Sequence, residues 1–183
     1  MLIRLASRLQ RNSIVDGEGI RAVVWTQGCP HNCPGCHNPE THDFEGGVLV
    51  DVEELKEEIN SLDSEVGVTL SGGDPFVQPE ACLEIAKYCH KIDLNVWCYT
   101  GYTYEQLLKK SEDNPFISDF LNEIDVLVDG RFVQRLKSLE AKFRGSKNQR
   151  LIDMKKTLST GKVVLLELDN DKKNKNKKKE IYI

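Results

Sequence analysis

Ile20-Arg21-Ala22-Val23-Val24-Trp25-Thr26-Gln27, then Gly28, then Cys29-Pro30-His31-Asn32-Cys33-Pro34-Gly35-Cys36, is the stretch that decides the fold. Its first half is a near-continuous apolar run of strand length, the pattern of a strand covered on both faces. Runs of the same kind recur at residues 66–71, 94–99, 124–129 and 162–168, rich in Val, Ile and Leu. Helical signals lie between them. Asp51-Val52-Glu53-Glu54 reads as a capping box opening a helix to about Asn60, Thr103-Tyr104-Glu105-Gln106 reads as another, and Pro79 and Pro115 suit first helical positions. Strands alternating with helices predict parallel β/α units in an α/β fold. Five or six units fall short of the eight in a closed barrel, so an open, partial β/α barrel is expected. Residues 1–10 add a strand with Ile3 and Leu5 on one face, and residues 13–19 read as a loop.

The chain has 183 residues, 39% of them hydrophobic, which suits one globular domain over residues 1–168. Residues 169–183 are a Lys- and Asn-rich tail expected to be solvated, because it has too little apolar surface to offset its ordering entropy. The formal charge of -4 hides an asymmetry: six Lys against Asp169, Asp171 and Glu180 leave the body acidic. A basic nucleic-acid-binding body is therefore not indicated. No apolar run exceeds four residues, and Arg4 and Arg8 sit where a secretory signal would be apolar. These features lead to the expectation of a cytoplasmic chain with reduced thiols and no membrane partner.

Three of the six Cys fall within eight residues, directly after the first strand. One reading is structural zinc with His31 or His37 as fourth ligand. Zinc modules, however, usually bring two spaced ligand pairs, and no second pair exists. Cys82 and Cys89 fall with Ile85 and Ala86 at i, i+3, i+4 and i+7 on one helix face and read as core, as does Cys98 within a strand. The other reading is an iron–sulfur cluster, wrapped by a loop that contains Pro30, Pro34 and Gly35. Three thiolates on four irons leave one iron open to a substrate.

The spacing Cys-x3-Cys-x2-Cys resembles the cluster motif of the radical S-adenosylmethionine (SAM) superfamily. The resemblance implies that Cys29, Cys33 and Cys36 hold a 4Fe-4S cluster whose open iron is chelated by SAM, within a partial barrel of the radical SAM type. Gly35 stands where that motif usually has an aromatic residue, so an adenine contact would come from backbone at Gly35, Cys36 and His37. Gly72-Gly73-Asp74 at the end of the second strand resembles the superfamily's Gly-Gly-Glu motif and implies contact with the SAM amino group. A tight turn capped by Asp74 is the plainer reading. Asp129 and Arg131 end the fourth strand and are candidates to hold the methionine end of SAM, or else form a surface ion pair. In β/α architectures such strand ends converge.

Ser13 to Arg21, with its Asp16-Gly17-Glu18-Gly19-Ile20-Arg21 core, resembles the signature of enzymes that activate glycyl radical proteins. Phe143 to Arg150 resembles a segment of the subgroup that activates anaerobic ribonucleoside-triphosphate reductase. This implies a protein substrate, an unidentified one-electron donor, and no catalytic side chain beyond the cluster. Homolysis of SAM and abstraction of hydrogen from a Gly Cα need no general acid or base. Arg144, Asn148 and Arg150 are candidates to dock the reductase. An activase for another glycyl radical enzyme, a small-molecule radical SAM enzyme, and a zinc-binding module remain the alternatives.

Overall fold

A computed structural model of the protein describes residues 1–168. The tail expected at residues 169–183 lies outside the described residues. The elements run β1 (Leu2–Leu5), β2 (Gln10–Ser13), β3 (Arg21–Thr26), β4 (Val48–Asp51), α1 (Val52–Asn60), β5 (Gly67–Gly72), α2 (Pro79–Lys91), β6 (Asn95–Tyr99), α3 (Tyr104–Ser111), α4 (Pro115–Asn122), β7 (Val126–Asp129), β8 (Arg150–Asp153) and α5 (Met154–Thr160). Eight strands form one mixed sheet in the order β4-β1-β3-β5-β6-β7-β8, with β2 paired to β3. Strands β3, β5, β6 and β7 are mutually parallel; the pairs β1–β3, β1–β4, β2–β3 and β7–β8 are antiparallel.

The sheet is open, and its parallel part has four strands rather than five or six. The run at 162–168 does not form a further strand. It makes one bridge, Leu165 to Ile152, and lies antiparallel beside β8.

Alternation along the strands divides the core. Ala22, Val24, Val68, Leu70, Val96, Cys98 and Leu127 join the helical side, where Cys82, Ile85, Ala86 and Cys89 of α2 are buried as the helical spacing predicts. Among the described residues, no helix covers the opposite side. There Trp97, Val126, Val128, Leu151 and Leu168 cluster, with Phe143 packed against them. Helix starts follow local chemistry: Thr103 and Gln106 form a full capping box, and Asn114 caps α4 with Pro115 next. At Asp51 the side chain accepts only from the Glu53 N–H, so the second half of that predicted box is not made.

Asp16 to Arg21 leads into the end of β3 opposite the Cys loop. Arg21 is fully buried at the start of β3. Its guanidinium donates to Thr69 Oγ1 (2.7 Å), Val68 O (2.8 Å) and Asn95 Oδ1 (2.7 Å), and lies 5.3 Å from the Trp97 ring. Burial lowers its pKa to about 10, which still leaves it charged at neutral pH. Gly17, at φ +132°, crosses so close that a Cβ there would meet Arg21 Cδ at 2.7 Å.

Candidate functional site

The carboxyl ends of the four parallel strands carry Gly28-Cys29, Gly72-Gly73, Thr100-Gly101 and Gly130. They border one cavity of about 110 Å³, together with Cys33, Cys36, His31, Phe132 and Gln149. Parallel strands held in register bring their ends to one side, so residues far apart in sequence share this wall. The three thiols are free and half-buried. Each has a backbone hydrogen bond on its sulfur: from His31 to Cys29, from Phe132 to Cys33, and from the Asn38 N–H to Cys36 Sγ at 3.4 Å.

Burial pushes the Cys29 thiol up to about 11, against its backbone bond, and burial also raises Cys33. Metal ligation there has to displace protons. Among the described residues, no three His, Cys, Asp or Glu side chains gather tightly enough to hold a single metal ion. Zinc needs its thiolates about 2.3 Å from one centre. A four-iron cluster bonds each thiolate to a separate iron, and three free thiols on one cavity offer the all-sulfur donor set that such a cluster takes.

Asp74 is fully buried and does not line the cavity. Its Oδ2 accepts from His31 Nε2 (2.7 Å), the Gly101 N–H (3.0 Å) and Thr100 Oγ1 (2.9 Å); its Oδ1 accepts from the Phe76 N–H and Thr100 Oγ1 (3.0 Å each). The carboxylate thus ties the loops after β3, β5 and β6 together. The preceding glycines answer to close backbone packing. A Cβ on Gly73 would lie 2.3 Å from Gly28 O, and one on Gly72, at φ +104°, 2.5 Å from Thr26 O.

Asp129 and Arg131 do not form a pair. Asp129 is buried and engaged by Arg150, with Nε to Oδ1 at 2.9 Å and a second contact from Nη2 to Oδ2, while the Tyr104 N–H donates to it at 2.7 Å. Arg131 is exposed. Arg150 therefore faces inward, bridging Asp129 to Glu105 and holding the Glu105 carboxyl at about 2. Arg150, expected to dock the reductase, is engaged with two carboxylates of its own chain. Asn148 donates to Arg131 O (2.8 Å), and Arg144 Nη1 reaches Gln149 O at 3.4 Å. Gly35, at φ +72°, packs on Gln134, and His37 lies 4.9 Å from the Phe132 ring.

The sequence offers His31 only as a zinc ligand. It is buried, edge-on to Tyr102 at 4.4 Å, with Nδ1 unpartnered beside the cavity. Its place inside the Cys loop was the available signal. Gln149 was missed; it closes the far wall by donating to Gly130 O (3.0 Å) and accepting from the Gly145 and Ser146 N–H groups.

Residues 15–152 match the model of the 4Fe-4S single cluster domain family. The chain is 35% identical over 144 residues to the anaerobic ribonucleoside-triphosphate reductase-activating protein of Haemophilus influenzae, covering 74% of this chain and 89% of that one. The chain belongs to this activating-protein family. The Escherichia coli K12 activating protein is 36% identical over 145 residues, covering 74% and 90%. Among solved structures, the chain is similar to QueE from Escherichia coli, with a TM-score of 0.48, 16% identity, and 56% and 54% of the two chains covered. The match to the 4Fe-4S model contains the whole Cys loop of this activating-protein family member. No helix among the described residues is long and apolar enough to cross a membrane.

Proposed function

We propose that this chain activates anaerobic ribonucleoside-triphosphate reductase by generating its glycyl radical, with a 4Fe-4S cluster held by Cys29, Cys33 and Cys36. The observation that carries the reading is the convergence of three free thiols with the glycine-bearing ends of four parallel strands on one cavity, in a chain of the activating-protein family. When bound, cluster and SAM supply one-electron cleavage of the sulfonium carbon–sulfur bond, yielding methionine and a 5′-deoxyadenosyl radical that takes hydrogen from a Gly Cα. The electron comes from an external one-electron donor.

The side chains of this protein position and shield. Asp74, through His31, Thr100 and Gly101, fixes the Cys loop against its neighbours before any ligand arrives. Gly72 and Gly73 offer a wall without side chains on which SAM would lie, with Cys36 on the same cavity. The parallel strands with their crossovers are read as part of an open β/α barrel of the radical SAM type, which leaves a lateral opening for a peptide loop. Cytoplasmic residence is consistent with six unpaired Cys.

The test is electron spin resonance of purified reductase mixed anaerobically with the reconstituted chain, SAM and dithionite. A glycyl signal on the reductase is expected. Its absence, from a preparation that cleaves SAM to 5′-deoxyadenosine, would mean another substrate.

A further inference from the structure

A larger groove lies beside the thiol cavity. It has a volume of about 450 Å³ and runs between the loop that carries Ile14 and Val15 and the loop of residues 137–145, with His37, next to Cys36, on its wall. Three aliphatic side chains stand out here: Leu139 is 97% exposed, Ile14 72% and Val15 69%. Their exposure is built in. Ser13 Oγ donates to Asp16 Oδ2 (2.5 Å) and Thr69 Oγ1 to Asp16 O (2.7 Å), so the loop that displays Ile14 and Val15 is anchored to the sheet. Contiguous exposed apolar surface of this kind marks an interaction site.

Charge selects the occupant. Residues 131–150 carry seven Lys and Arg against the single Glu140, a net +6 in a chain of net charge -4. Lys137, Lys142 and Arg144 line the groove itself. Arg144 Nε is buried there without a hydrogen-bond partner, a donor that calls for an acceptor from outside. An apolar floor with a basic lip and an unmet guanidinium N–H suits a segment that alternates apolar side chains with carboxylates.

We propose that this groove docks an acidic, apolar-bearing segment of the reductase and so delivers the protein substrate to the neighbouring thiol cavity. The assignment rests on the activase reading and adds the surface and the chemistry by which the partner is recognised. Arg144 acts here as a docking residue, whereas Arg150 holds the loop from inside.

The experiment compares the reconstituted full chain with a Leu139→Asp/Lys142→Glu double variant, two exposed positions at which folding is not at stake; an unchanged thermal midpoint and cluster spectrum check this. Affinity for purified reductase is measured at two salt concentrations, and radical yield is measured with dithionite as donor. The variant is expected to bind about tenfold or more weakly with a shallower salt dependence, and excess reductase is expected to restore its radical yield. Unchanged affinity would overturn the assignment. So would normal reductase binding combined with slower reduction by a protein electron donor, which would give the groove to that donor. Failure of the unaltered chain to form the radical with dithionite and saturating reductase would instead remove the activase reading, and the groove assignment with it.

Discussion

Replacing Asp74 with Asn separates a carboxylate that ties loops together from one that binds SAM. Both oxygens face donors: Oδ1 the Phe76 N–H, and Oδ2 the Gly101 N–H and His31 Nε2. Whichever way an amide is turned, its NH2 group meets a backbone N–H. His31 could change tautomer, but a backbone amide cannot. One buried donor left unsatisfied costs about 1–3 kcal/mol, and hydrogen bonds to a charged acceptor are worth about 1.5–3 kcal/mol each. Because these bonds share one group, their losses do not sum, and the total should resemble a broken buried charge network, about 3–5 kcal/mol. For a domain of this size that corresponds to a drop of roughly 6–20 °C in midpoint. Thermal unfolding of the apoprotein measures it, and iron content after reconstitution reports the loosened Cys loop. Asp74→Glu should also destabilise, by about 1–3 kcal/mol, since the site is fully buried. An Asp74→Asn protein with an unchanged midpoint, full iron and lost SAM affinity would refute the reasoning and make the carboxylate a cofactor ligand.

Arg21→Met should destabilise the chain by about 1–3 kcal/mol in denaturant titrations, because it removes the donor to the buried Val68 O and one of the partners of the buried Thr69 hydroxyl. Ala at Cys82 or Cys89, both fully buried, should cost only about 1–2 kcal/mol and leave iron content intact. Burial alone would lower the His90 pKa, but hydrogen bonds to Asp125 and Glu123 outweigh it and raise the pKa overall. That contribution to stability is complete below the unfolded value near 6.5 and fades as pH rises through the higher folded value. A His90→Gln variant should therefore show a flatter stability profile just above that pH, read from midpoints across pH 5.5–8.5.

The parallel strands were legible because burial on both faces writes an apolar run: residues 20–27, 66–71, 94–99 and 124–129 contain or overlap β3, β5, β6 and β7. The sheet's margins were not. β2 is Gln10-Arg11-Asn12-Ser13, polar and largely exposed, and β4 and β8 have four residues each. Such strands are set by the neighbour they pair with rather than by their own pattern. The apolar run at 162–168 lies antiparallel beside β8 through a single bridge and two backbone hydrogen bonds, and of its residues only Leu168 is buried, so it borders the sheet without forming a regular strand.

The site divides in the same way. Glycines at strand ends were visible because a Cβ there would meet neighbouring backbone, and the cysteines because three of them fall within eight residues. The partners of Asp129 and Asp74 were not, because they lie 21 and 43 residues away and only the folded sheet brings them into contact. A charged residue's nearest neighbour in sequence, Arg131, proved a poor guide to its partner in space.

The central claim is tested most directly by the iron and acid-labile sulfide content of anaerobically reconstituted protein, with electron spin resonance of the reduced sample before and after SAM is added. Four irons and four sulfides per chain, a reduced-cluster signal that SAM changes, and loss of all three with Ser at Cys29, Cys33 or Cys36 are predicted. A colourless protein holding one zinc, or a full cluster indifferent to SAM, would contradict it.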